Sequence, residues 1–332
     1  MDDWFGRGAT ETTSKIGAAF ALALLFAAAG CGCGATATSG FDRTLKVTGP
    51  VRLEVANGSG SVQIAAGEPG QVRIRGEVRG QAFGLGDAQR RAEEIASHPP
   101  VEQQGNLIRV GYDKFRVQRL SIQYTIAVPE DTELQTEVGS GSLSVKGVRG
   151  PVRLTTGSGS IAAADIREDA HLTTGSGSLA AANVRGEVHA ITGSGGIALS
   201  EIGGEIRANT GSGAITIAEP GGRITARTGS GGMTISGAAG DLRARTGSGS
   251  ITITGNPAAS CFWELHAGSG SIALDVPANA SFRLYAHTSS GHIETAIPVV
   301  IEERSKKELR ARVGNGDARV EAQTASGSIH IR

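Results

Sequence analysis

The stretch RTGSGSITIT (Arg245–Thr254) places a Gly-Ser-Gly triplet directly ahead of alternating isoleucine and threonine. Glycine loses more backbone freedom on ordering than any other residue, so one such triplet reads as a loop. The triplet recurs at Gly139, Gly157, Gly175, Gly193, Gly211, Gly229 and Gly247, a constant step of 18 residues. Counted from the first glycine of each triplet, offset four holds Leu143, Ile161, Leu179, Ile197, Ile215, Met233 and Ile251. Offset six runs from Val145 to Ile253, offset thirteen from Val152 to Leu242, and offset fifteen from Leu154 to Ala244, all apolar. Alternation at i, i+2 predicts two short half-buried strands per repeat. A second turn is expected near offset eleven, where Gly150, Gly186, Gly204, Gly222 and Gly240 fall.

An antiparallel meander would need a second layer over its apolar face, and this tract has no helical pattern to supply one. A transmembrane barrel would want longer strands and aromatic girdles, yet no Phe, Trp or Tyr occurs between Tyr124 and Phe262. The spacing therefore predicts an all-β fold, a single-stack parallel β-helix or β-solenoid with coils of about 18 residues. Right-handed winding is expected from the general preference of parallel crossovers. Triplet glycines are expected at corners with positive φ, and their serines are expected to aim hydroxyls along the stack or at turn backbone. Aromatics return at both ends (Tyr112, Phe115, Tyr124; Phe262, Trp263, Phe282, Tyr285), where caps are expected. Longer coils continue at Gly268, Ser289 and Ala325, and an early copy stands at Gly58. Asp87–Ser97 predicts one short inserted helix with Asp87 as its N-cap.

The N-terminal stretch reads as a targeting segment. Arg7 and Lys15 precede an apolar run, Ile16–Ala29, too short to span a bilayer comfortably. It ends in Ala28-Ala29-Gly30-Cys31, which resembles a bacterial lipobox with Ala28 where Leu is usual. Residues 1–30 are expected to be a lipoprotein-type signal peptide and 31–40 a flexible tether. Residues 41–332 are expected to form the solenoid, irregular over 41–138, regular over 139–256 and irregular again over 257–332. Lipidation is expected at Cys31, with plain secretion after cleavage near Ala29 or Ala37, and then an uncleaved helical anchor, as the alternatives. Any of these routes exports the protein. Cys33 and Cys261 do not make a disulfide framework in a chain of this length.

Several function classes are disfavoured by what the chain contains. Its 32 basic and 32 acidic residues give no basic excess for nucleic acid. No GxxxxGK[ST] occurs and no triplet extends to GxGxxG before a helix, so nucleotide binding is not expected. GxSxG is absent as well. Calcium β-rolls carry aspartate in their turns where this chain has serine. An acidic file at offset twelve (Asp169, Glu187, Glu205, Asp241, interrupted by Arg223) has the spacing of a carboxylate pair. Its basic neighbours fit a solvated sheet face better. His171 and His189 share an offset without a third ligand, and His266, His287, His292 and His330 are scattered over the end coils. No metal, cofactor or catalytic residue is expected.

The segment IQYTIAVPEDTEL (Ile122–Leu134), the TGSGSI-type repeats, HTSSGHIE (His287–Glu294) and the closing ARVEAQTASGSIHIR resemble a bacterial β-strand-repeat family labelled "putative adhesin", a domain of unknown function. The resemblance covers Phe41–Arg332. It implies a parallel β-helix in an envelope or surface setting and brings no catalytic residues. The chain is accordingly expected to be a non-catalytic, lipid-tethered, adhesin-like module of the cell envelope. A structural spacer and a polysaccharide-active enzyme are the alternatives. The candidate glycan-binding strip is two basic lines, Arg149, Arg167 and Arg185 at offset ten, and Arg153, His171, His189 and Arg207 at offset fourteen. The expected partners are an envelope component or glycan, and the membrane through the lipid.

Overall fold

The computed structural model describes residues 36–81, 85–111 and 120–332. The leader, Cys31, Cys33, Tyr112 and Phe115 lie outside them. Two sheets, of 14 and 15 strands, run the length of the molecule. In the regular tract the first sheet takes the strand after each triplet (Ile161–Ile166, Leu179–Val184, Ile197–Ile202, Ile215–Pro220, Met233–Ala238). The second takes the strand before the next triplet (Ala170–Thr174, Val188–Thr192, Ile206–Thr210, Ile224–Thr228, Leu242–Thr246). Every pairing here is parallel and joins equivalent offsets: Ile161 faces Leu179, Leu179 faces Ile197, and Ala190 faces Ala208, which faces Ala226. The fold is a β-solenoid.

The core lies between the two sheets. Side chains at offsets four, six, thirteen and fifteen are buried in every regular coil. Full burial of one such aliphatic side chain is worth about 1.5–3 kcal/mol, so each coil is held mainly by its own four apolar rungs. At offset fifteen Leu154 and Leu172 give way to Ala190, Ala208, Ala226 and Ala244, which stack at 0–2 % exposure. A fifth inward column, at offset nine, was not picked out by the alternation. Val148, Ile166, Val184, Ile202 and Ala238 are buried there. They are reached through a bend that breaks the period of two.

That bend corrects the expectation about glycine. Left-handed backbone occurs at offset eight, and mostly in residues other than glycine: Asp165 (φ 58°), Asn183 (φ 53°), Glu201 (φ 55°) and Glu219 (φ 50°), with Gly147 and Gly237 at 78°. Triplet glycines from Gly157 to Gly249 lie outside that region. They are needed because coils approach closely there. A Cβ on the second glycine of any regular triplet would overlap the carbonyl of the second glycine one coil below, far inside the 3.0 Å that real Cβ atoms keep. Most offset-eleven glycines are similarly crowded, whereas the coil starting at Gly157 carries Glu168 at that offset.

Threonine, not serine, ties the triplets together. The triplet serines Ser158, Ser176, Ser194, Ser212, Ser230 and Ser248 are exposed, while the threonine before each triplet is buried. Thr210 Oγ1 donates to the Gly195 carbonyl in the coil below (2.8 Å) and accepts from Gly213 N–H in its own corner (3.1 Å). Thr174, Thr192, Thr228 and Thr246 repeat both bonds. Each hydroxyl thus satisfies a donor and an acceptor that would otherwise be buried without partners.

At both ends spatial order departs from chain order. The coil made by Val51–Ser59 and Val62–Ala66 lies between a later coil (Leu107–Val110, Leu120–Val128) and the coil that begins at Thr132. At the other end the final coil (Ala318–Thr324, Ile329–Ile331) is inserted between Phe262–Ala267/Ile272–Asp275 and Phe282–Thr288/Ile293–Thr295. Antiparallel strands then close the stack: Thr36–Lys46 with Gln71–Gln81, and Val300–Arg304 with Glu308–Val313. Within the tether expected over 31–40, Thr36–Gly40 form strand and pair with Glu77–Gln81. Phe41 supplies the anchor, packing edge-on to Tyr124 (6.3 Å, 67°). The inserted helix spans Leu85–Ser97, so Asp87 falls inside its first turn and is not the N-cap. Tyr124, Trp263 and Phe282 fill the end cores as expected, and Trp263 Nε1 donates to the Gly240 carbonyl (2.8 Å).

Candidate functional site

The outward faces of the two sheets differ in chemistry. The first presents small uncharged residues in register, Ala162, Ala180, Ala198, Thr216, Thr234 and Thr252. The second carries the offset-fourteen line, in which Arg153, His171, His189, Arg207, Thr225 and Arg243 face one another in turn. Five ladder steps at about 4.8 Å make it roughly 24 Å long. Offset ten also lies in register, since Arg167 N–H donates to the Val148 carbonyl and Arg185 N–H to that of Ile166.

Ion pairing divides these basic residues. Arg207 is held by Glu187 (3.2 Å) and Glu205 (2.7 Å), and Arg243 by Glu264 (3.5 Å). Arg149 pairs with Glu130 and lies 3.7 Å from Asp131. Arg153, Arg167 and Arg185 form no ion pair with any described residue. His171 and His189 follow Arg153 along the offset-fourteen ladder, with rings edge to face at 5.7 Å. Partial burial, then the positive neighbours His171 and Arg207, lower the pKa of His189, so this imidazole offers hydrogen bonds more than charge.

The acidic file at offset twelve is occupied by local bonds. Asp169 accepts from Glu187 N–H (2.8 Å), Asp241 from Phe262 N–H (3.0 Å), and Arg223 reaches Asp241 (3.0 Å). Alternating charge along a ladder relieves like-charge repulsion, and each exposed pair adds at most about 1 kcal/mol. A surface depression of about 430 Å³ at the N-terminal end is lined by Asn57, Gly111, Tyr124 and Glu137 among others. It holds one carboxylate, where sugar hydrolysis uses two about 5–10 Å apart. Cys261 is half-buried, and burial together with Asp241 pushes its thiol pKa up, away from reactivity.

One grouping escaped the sequence reading, which left His292 and His330 apart. The inserted last coil brings Glu294 opposite His330, and His292, Glu294 and His330 offer donor atoms within 4.8 Å of one another.

A stack of in-register coils with triplet corners also decides kinship, for the sequence pattern of Toastrack DUF4097 matches residues 111–332. The chain belongs to this family. The Toastrack match takes in the regular tract and the C-terminal cap but stops short of the helix and first strands. It bears out the resemblance to an adhesin-labelled repeat family. No curated protein matches the chain. Among solved structures, a "putative cell adhesion protein" of Clostridium sporogenes is similar at 12 % identity, covering 88 % of this chain and 99 % of its own, with a TM-score of 0.20. A "putative lipid binding protein" of Parabacteroides distasonis shares 13 % identity over 88 % and 96 %, TM-score 0.32. A "putative adhesin" of the same organism shares 13 % over 89 % and 97 %, TM-score 0.28.

Proposed function

We propose that this Toastrack protein is a non-catalytic, adhesin-like interaction module of the cell envelope that holds a linear anionic polymer, such as an acidic glycan, along the outward face of its second sheet and the adjoining turn that carries Arg167 and Arg185. The supporting observation is that Arg153 on the second sheet, and Arg167 and Arg185 in the turn beside it, stand on successive coils with no ion-pair partner among the described residues, while nearby Asp169 and Glu187 are already engaged. Such contacts are individually weak, screened by salt and additive along a repeat. The test is binding of the full chain to immobilised acidic polysaccharides (polygalacturonate, heparin, teichoic acid) at rising salt. Any single Arg→Ala change at the three positions should weaken binding less than about fivefold, at 0.2–1 kcal/mol per contact. The triple variant should lose about tenfold or more, with a shallower salt dependence. Unchanged binding in the triple variant, or a substrate whose turnover one substitution destroys, would overturn the reading.

The module is proposed to be exported and held by lipid on Cys31. No helix among the described residues is long and apolar enough to cross a membrane. Mass spectrometry of membrane-extracted protein should find an acylated Cys31 as the N-terminus. Retention of a Cys31→Ala variant in the membrane fraction would point to an uncleaved leader instead. Gly32, rather than Asp, after the cysteine favours the outer membrane in a two-membrane bacterium.

A further inference from the structure

Charged side chains on this surface mostly follow one rule, carboxylate against guanidinium. Glu294 breaks it. It lies on Ile293–Thr295, the terminal strand of the first sheet, opposite His330 on Ile329–Ile331. Its two ion-pairing partners among the described residues are both imidazoles: Oε1 stands 3.2 Å from His292 Nε2, and Oε2 3.2 Å from His330 Nδ1. The rings are nearly perpendicular, with centroids 5.8 Å apart. Ser328 Oγ lies 3.0 Å from His292 Nδ1, which leaves Nε2 as the nitrogen turned toward the carboxylate.

We infer that His292, Glu294 and His330 form a surface site for a divalent transition cation of the zinc class. Two imidazole nitrogens and a carboxylate are a ligand set such ions prefer, whereas magnesium and calcium prefer all-oxygen surroundings. A tetrahedral ion with bonds of about 2.0–2.2 Å holds its donors roughly 3.3–3.6 Å apart. Each imidazole nitrogen already stands 3.2 Å from one oxygen of the carboxylate, His292 Nε2 from Oε1 and His330 Nδ1 from Oε2, and one donor atom from each residue lies within 4.8 Å of the others. Closure asks mainly for the two nitrogens to draw together, which the exposed His292 and Glu294 side chains permit (62 % and 63 % accessible). Ser328 takes the outer role of fixing a ring through its other nitrogen. The fourth coordination position faces solvent. An ion here would clip the terminal strand to its neighbour, so its chemistry is that of a cation-dependent fastening at the C-terminal cap.

The experiment is calorimetric titration of the full chain with zinc sulfate alone, after chelator treatment and with thiols blocked. Thermal melts with and without zinc accompany it. The wild type should take up one equivalent and melt higher when loaded. His292→Ala/His330→Ala should abolish both effects while leaving the metal-free melt and circular dichroism unchanged, since both side chains are partly or largely exposed. His171→Ala/His189→Ala, which removes the other imidazole pair, should retain them. Ser328→Ala should weaken uptake by about tenfold, as loss of an outer hydrogen bond does. Magnesium in place of zinc should give no uptake. Absence of a zinc equivalent in the wild type, or uptake that persists in the His292/His330 double variant, would overturn the assignment and leave an imidazole–carboxylate hydrogen-bond network.

Discussion

Alanine in place of Gly213 is expected to lower the unfolding midpoint by roughly 6–12 °C, from about 3 kcal/mol of overpacking at about 2–4 °C per kcal/mol. The added methyl would overlap the Gly195 carbonyl in the coil below, a backbone atom that cannot rotate away. Two ladder elements meet at this residue, since Gly213 N–H donates to Thr210 (3.1 Å) and Gly213 O accepts from Thr228 (2.9 Å). Relief by separating the coils would therefore stretch the threonine bridges above and below together. Ser212→Ala, one residue away on an exposed side chain, should change the midpoint by less than about 2 °C, as surface substitutions usually do. Thermal melts of the two variants decide the matter. Equal tolerance at the two positions would mean that the triplets are ordinary loops and that the coils do not touch there.

Removal of residues 318–332 is expected to have the larger effect, collapse of the whole C-terminal cap. These residues supply Ala318, Val320, Ala322, Ile329 and Ile331 to the core, all at 4 % exposure or less. They also supply the ladder on which Phe282–Thr288 and Ile293–Thr295 rest. Without them Trp263 loses Val320 beside it, and the segment from Phe282 to Val313 has no sheet to join. The regular coils would then end in open parallel edges, which template aggregation. By contrast, excision of residues 175–192, one complete turn of the ruler, brings equivalent offsets back into register and should leave a monomeric, shorter solenoid. Size-exclusion chromatography and limited proteolysis distinguish the outcomes. A truncated chain that stays monomeric with a protected Phe282–Val313 segment would refute the insertion.

The coil circumference and four of its inward columns were legible because identical offsets must do identical work in a stack, as the run from Leu143 to Ile251 shows. The fifth column was hidden by the left-handed residue ahead of it. Asp165 and Asn183 are of types that favour that conformation, but Glu201 and Glu219 at the same offset are not, so the column as a whole announces no bend. Threonine's role was concealed by its neighbours, since a serine beside glycine looks like the polar element of a corner. The ladder register of the offset-fourteen residues follows from the repeat, but their ion pairing was not readable. Arg207 and Arg153 share an offset, and differ because Glu187 and Glu205 sit within reach of the first. The grouping of His292, Glu294 and His330 was out of reach for a different reason. Glu294 and His330 are 36 residues apart and become neighbours only through a change of coil order that no repeat unit encodes.

That change of order also governs how the molecule bears load. In a stack wound in chain order, tension on the C-terminus peels one strand from one neighbour, and the rest follow in sequence. Here Ile329–Ile331 has hydrogen-bonded partners on both edges, Ile272–Asp275 and Ile293–Thr295. Ala318–Thr324 is likewise gripped by Phe262–Ala267 and Phe282–Thr288. Pulling on Arg332 must break two ladders at once, and the strands that cover it must yield before any regular coil is exposed to the force. The inserted coil is a mechanical lock, set where a stack wound in chain order would begin to unravel.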